Sequence, residues 1–119
     1  MIGKLKTGLA KGASAALSKT LRAVANRFLK RYGRLESFRL DLADRTIDAT
    51  VTLWGESEPL QVRIAGFEFV EEDGEVAIVI RGIDVSKEWM AALAGDFVVG
   101  RPFALPEEAA KVVRALKLV

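Results

Sequence analysis

The segment LQVRIAGFEF, Leu60 to Phe69, alternates apolar and polar residues on both sides of a break. Leu60, Val62 and Ile64 hold the even positions, while Phe67 and Phe69, beyond Gly66, hold the odd ones. Successive side chains of a strand point to opposite faces, so an unbroken register would turn one of these two sets to water. A bulge at Gly66 that switches the buried face and bends the strand removes the conflict.

Period-two patterns extend in both directions from this bent strand. Upstream, Phe38, Leu40 and Leu42 alternate with Arg39 and Asp41. After the turn Ala43-Asp44-Arg45-Thr46, Ile47, Ala49, Val51 and Leu53 alternate with Asp48, Thr50 and Thr52, which predicts a hairpin with one buried face. Gly55 to Pro59 forms the next turn. Downstream, Asp73-Gly74 turns the chain into a fourth strand, Val76 to Ile83. Both parities of that strand are apolar, which predicts a central position or cover on both faces.

Helical spacing appears at the two ends of the chain. Leu17, Leu21, Val24 and Phe28 recur at steps of four, three and four over residues 13–32, Tyr32 and Leu35 continue the stripe, and Gly33 reads as the C′ stop. Gly3, Gly8 and Gly12 weaken the first third, which is expected to fray. Ser86 reads as the N-cap of a short helix ending near Gly95, with Val85 and Met90 spaced as a hydrophobic staple. Asp96 to Leu105 reads as a loop. Pro106 suits the first turn of a last helix, with Glu107 and Glu108 at its positive end and Ala109, Val112, Val113 and Leu116 on its apolar face. The expected fold is a single α+β domain. A four-stranded antiparallel sheet is covered by a long N-terminal amphipathic helix and two short C-terminal helices. Residues 1–33 form the cationic helix, and residues 36–119 form the sheet with the C-terminal helices.

Charge divides the chain more sharply than hydropathy does. Residues 1–35 carry nine Lys or Arg and no Asp or Glu, whereas residues 36–119 carry nine cations and sixteen anions, net −7. The overall +2 conceals this asymmetry, which points to an interacting arm. The chain has no Cys and no His. Disulfides, thiolate metal sites and Cys nucleophiles are thereby excluded, together with the commonest general base at neutral pH. Every apolar run is too short to span a bilayer, and Lys11 and Lys19 interrupt any signal-peptide core. The expected location is cytoplasmic, with peripheral membrane contact.

The cationic helix is the leading candidate site. Lys4, Lys6, Lys11, Lys19, Arg22, Arg27, Lys30 and Arg31 supply a membrane- or anion-binding set, and Leu5, Leu9, Leu17 and Phe28 supply the apolar contact. The competing reading packs Leu17 to Phe28 on the sheet. Both hold together if residues 1–16 project. The bent sheet and its covering helix can also enclose an apolar groove suited to an acyl chain. Lipid-binding domains of several families set a helix against a strongly curved antiparallel sheet, a likeness of fold alone.

Other sites are weaker. Glu71-Glu72-Asp73-Gly74-Glu75 lacks EF-hand spacing and reads as a solvated hairpin tip rather than a metal site. Glu56 and Glu58 flank a turn with nothing to place them in a cleft. Core packing is the default expectation for Trp54 and Trp89, with an exposed anchor as the alternative for Trp54. No nucleotide loop, nucleophile elbow or zinc motif is present, so neither a catalytic residue nor a cofactor is expected. The function expected is a non-enzymatic module that associates with a lipid or an anionic membrane surface. The alternative is a protein-interaction module that docks a partner or a second copy of itself through the N-terminal helix. Nucleic acid is disfavoured, because base-stacking aromatics are scarce among the cations and the −7 remainder repels a duplex.

Overall fold

A computed structural model describes the backbone of residues 2–119, with side chains at residue 12 and from residue 15 onward. Helix α1 (Ile2–Leu29) is followed by strands β1 (Gly33–Asp41), β2 (Thr46–Leu53), β3 (Leu60–Ala65), β4 (Phe67–Glu72), β5 (Glu75–Ile80) and β6 (Ile83–Val85). Helix α2 (Glu88–Phe97), strand β7 (Pro102–Ala104) and helix α3 (Glu107–Ala115) complete the chain. The α+β class is as expected, but the strands form two antiparallel sheets rather than one. The first has four strands in the order β1-β2-β3-β6, and the second has three in the order β4-β5-β7.

The split falls at Gly66. Its φ of +98° is accessible to glycine at little steric cost. Backbone hydrogen bonding continues around the corner. Ala65 N–H donates to the Gly82 carbonyl at 2.9 Å, and Arg81 N–H donates to the Gly66 carbonyl at 2.8 Å. The expected third strand is thus two strands in two sheets, and the expected fourth divides in the same way into β5 and β6. One bent hairpin joins the sheets, and its face switch lets Leu60 on one side of the corner and Phe67 and Phe69 on the other all be buried. At the far end of the hairpin Asp73 and Gly74 both have positive φ, as a two-residue type I′ turn requires. Strand β5 is central in its sheet.

Strand β1 begins earlier than the alternation predicts. Leu35 pairs with Val51 and Ser37 with Thr50, so Glu36 is the extra residue of a bulge. That insertion brings Leu35, of odd parity, to the same face as Phe38 and Leu40. Leu35 is therefore buried in the sheet rather than extending the helical stripe. Gly33 is not a helix stop either. It is the first residue of β1, where an added Cβ would run into the Thr52 carbonyl.

The core joins both sheets to two helices. Leu17 and Leu21 of α1 meet Leu40, Ile47, Phe67, Phe69 and Val76 of the strands and Ala110 and Val113 of α3. Helix α1 packs on β1 and α3, α3 also touches β5, and α2 packs on β6. Pro106 precedes α3 with extended backbone, and Glu107 and Glu108 occupy its first turn. Helix α2 begins at Glu88, later than expected, and Ser86 does not cap it. The Ser86 hydroxyl instead accepts the Gln61 N–H at 3.0 Å, while Ser86 N–H donates to the Gln61 carbonyl. Ser86 thus extends the β6–β3 pairing, and α2 starts without a side-chain cap.

Candidate functional site

The proposed contact residues divide into three groups. Lys4, Lys6, Lys11, Leu5 and Leu9 have side chains outside the described residues. Leu17 is fully buried against the core, so it holds α1 to the fold and is not available to an external surface. Lys19, Arg22, Arg27, Lys30, Arg31 and Phe28 are exposed.

Among the exposed cations, Arg27 is committed within the fold. Its guanidinium lies 3.1 Å from the Glu108 carboxylate, tying α1 to α3. The backbone N–H of Glu108 itself and the Arg27 guanidinium hold the Glu108 carboxyl below the ordinary carboxylate range. Lys19, Arg22, Lys30 and Arg31 have no ion-pair partner among the described residues. The second half of α1 and the turn after it therefore present four charges without an ion-pair partner, whereas Arg63 is paired with Asp48 and Arg81 with Glu68.

Aromatic side chains gather where α1 ends. Trp54 N–H donates to the Tyr32 carbonyl at 2.8 Å, and the Trp54 indole N–H reaches the Lys30 carbonyl at 3.4 Å. Phe28, Tyr32 and Trp54 are all more than half exposed. Core packing does not hold for Trp54, which lies beyond the end of β2 with its indole directed to the helix terminus. It does not hold for Trp89 either, which is 60% exposed on α2.

Between α1 and the bent sheets lies an open groove of about 400 Å³. One wall is the C-terminal half of α1, with Val24, Ala25, Phe28 and Leu29. The floor is Phe38 and Ile47 of one arm and Ile64, Ile78 and Ile80 on either side of the corner. Val98 and Phe103, which follow α2, form the opposite margin. Every lining residue is apolar. The groove exists because the corner at Gly66 turns Ile64 and Ile78 towards a common space that the three-to-four stripe of α1 only partly fills.

The acidic candidates do not assemble. Glu71 accepts a hydrogen bond from Arg114 at 2.9 Å, and Arg114 also donates to the Gly74 carbonyl at 2.6 Å, so this hairpin tip is fastened to α3. The Glu71 carboxylate raises the Arg114 pKa above its usual value. Glu56 lies 3.6 Å from Lys87. Among the described residues no three carboxylates come together as metal ligands would.

Helix α2 carries a surface the sequence reading missed. Trp89, Leu93 and Phe97 are exposed at steps of four, and no residue of the helix is buried. That spacing was visible as a signal, but an apolar run between two strands is ordinarily a core helix. No helix among the described residues is long and apolar enough to cross a membrane. No family model, curated protein or solved structure matches the chain.

Proposed function

We propose that the protein is a non-enzymatic module that associates with anionic membrane surfaces through α1. The observation that carries this reading is the set Lys19, Arg22, Lys30 and Arg31, exposed and uncompensated, beside the exposed rings of Phe28, Tyr32 and Trp54. Aromatic side chains with a polar edge favour the headgroup level of a bilayer. Cations near an anionic surface each contribute about 1 kcal/mol. Neither contribution holds a protein to a membrane alone, and the reading requires the two together along the second half of α1 and the turn after it.

The test is flotation with vesicles of phosphatidylglycerol and phosphatidylcholine against vesicles of phosphatidylcholine alone. Binding to the anionic vesicles only, lost when Lys19, Arg22, Lys30 and Arg31 are all changed to Ala, is the expected result. Equal flotation of this variant and the wild type, or no flotation of either, overturns the reading.

A second reading is favoured by α2. Its stripe of Trp89, Leu93 and Phe97, with Glu88 and Asp96 nearby, suits a protein partner or a second copy better than an anionic bilayer. A mass that rises with protein concentration in the absence of lipid, and stays constant in Leu93→Asp, would establish it.

A further inference from the structure

We infer that the groove between α1 and the bent sheets binds one acyl chain of an anionic lipid, a site that rests on the membrane-surface reading for the source of its ligand. The groove's chemistry restricts the occupant first. A peptide carries an N–H and a carbonyl at each residue, and those groups require partners once water is removed. The lining offers only hydrocarbon. A helix is about 10 Å wide, so a space of about 400 Å³ holds roughly one turn of it. A hydrocarbon chain has neither requirement. At roughly 30 Å³ for a water-sized group, about 400 Å³ accommodates on the order of a dozen methylenes. That is one chain, not the two of a diacyl lipid.

Charge restricts the headgroup. Lys30 and Arg31 follow the lining residue Leu29, and Arg101 precedes the lining residue Phe103 by two positions. None of the three has an acidic partner among the described residues. Asp96, two positions before Val98, is the acidic residue near the same margin. An anionic head therefore meets Lys30 and Arg31 at the α1 side of the groove, or Arg101 at the opposite margin. The exposed Phe28 ring lines the groove, and Tyr32 and Trp54 follow at the same end of α1. Lys19 and Arg22 line a separate hollow with Leu35, while the Phe28 end of the groove adjoins Lys30 and Arg31, two of the four cations proposed to meet the membrane. A chain that leaves the bilayer there passes from one hydrocarbon environment to another.

The experiment uses the full chain and dodecanoyl lysophosphatidylglycerol below its micellar concentration, with no vesicles. Titration is followed by NMR of isoleucine methyl groups. Saturable one-to-one binding that shifts Ile47, Ile64, Ile78 and Ile80 is expected. Ala25→Phe and Val98→Phe fill the groove from opposite sides, and each is expected to weaken binding at least tenfold while the circular dichroism melt stays cooperative. The phosphatidylcholine analogue of the same chain length is expected to bind several-fold more weakly.

Absence of saturable binding overturns the site. So do shifts confined to the Trp89 indole, or affinity unchanged in both variants. Equal affinity for the two headgroups overturns the anionic assignment. Should either variant fail to fold, the isoleucine footprint of the wild type decides alone. Vesicle flotation reports on the surface reading independently. Flotation without groove shifts sinks the groove, and groove shifts without flotation sink the surface reading.

Discussion

Helices α2 and α3 are nearly equal in length, ten and nine residues, and lie within twenty residues of each other. The more polar of the two is the buried one. Helix α3 confines its apolar residues to one face, and Ala109, Ala110 and Val113 of that face are sealed in the core. Its charged face is put to use as well, with Glu108 on Arg27 and Arg114 on Glu71. Helix α2 is apolar on nearly all sides, yet it packs on β6 with no residue fully buried. Apolar content alone therefore does not order a helix into a core. A stripe narrow enough to match a neighbouring surface does, and apolar residues left over are directed elsewhere.

The comparison breaks most readily at Val113. A carboxylate at this fully enclosed position, in Val113→Asp, is expected to cost about 4 kcal/mol or more and to abolish cooperative urea unfolding. A variant that retained a normal transition would show that α3 is not the anchored helix. Next in size is Gly66→Ala. The corner keeps β5, which supports α3, apart from β6, which supports α2. At φ +98° an alanine is strained, and its Cβ would sit 3.3 Å from Arg81 Cβ. A loss of about 1–3 kcal/mol in chemical denaturation is expected. Leu93→Asp on α2 should stay within about 0.5 kcal/mol of the wild type in the same measurement. A larger loss would mean that α2 has a partner within the fold.

The smallest expected effect is one of pH. The Glu108 carboxyl is held below its ordinary value of 4.5 in the folded state, so its contribution is complete above pH 4.5 and is lost as pH falls through the lower folded value. Glu108→Gln should therefore melt slightly below the wild type at pH 7, and the difference should shrink in acid. A difference that grew in acid would contradict the assignment. Hydrogen exchange sharpens the contrast without mutation, since amides of α2 should exchange well before those of α3.

Periodicity carried much of this structure. The stripe Leu17, Leu21 and Val24, the hairpin of β1 and β2, the turn at Asp73-Gly74 and the break at Gly66 were all legible, because burial on one face leaves a mark at fixed spacing. What escaped had local causes. Glu36 hides the start of β1, since a bulge residue shifts parity and makes Leu35 look like part of the preceding helix. Ser86 carries a capping signature but is drawn into strand pairing with Gln61. One sheet became two because alternation records which face is buried, not which strands are neighbours. The candidate site was legible in its charges, whose lack of partners needed coordinates to establish. Phe28 fits the helical stripe perfectly, yet it overhangs the groove, and its exposure depends on how far the sheet reaches beneath α1. Both tryptophans were misplaced for a related reason, as a large ring signals a contact without saying whether the contact lies inside the molecule.

The hairpin that turns at Gly66 also governs how the molecule comes apart. Each of its two arms begins in one sheet and ends in the other, and hydrogen bonds between Ala65 and Gly82 and between Gly66 and Arg81 close the crossing. Neither sheet can dissolve while the other persists, because each loses two of its strands when the hairpin opens. The sheets should melt in a single transition and reassemble only after the long-range pairing of residues about twenty apart is in place, which makes folding slow relative to the helices. Until that pairing forms, the apolar stripe of α1 lacks Phe67, Phe69 and Val76, the part of its core that the second sheet supplies.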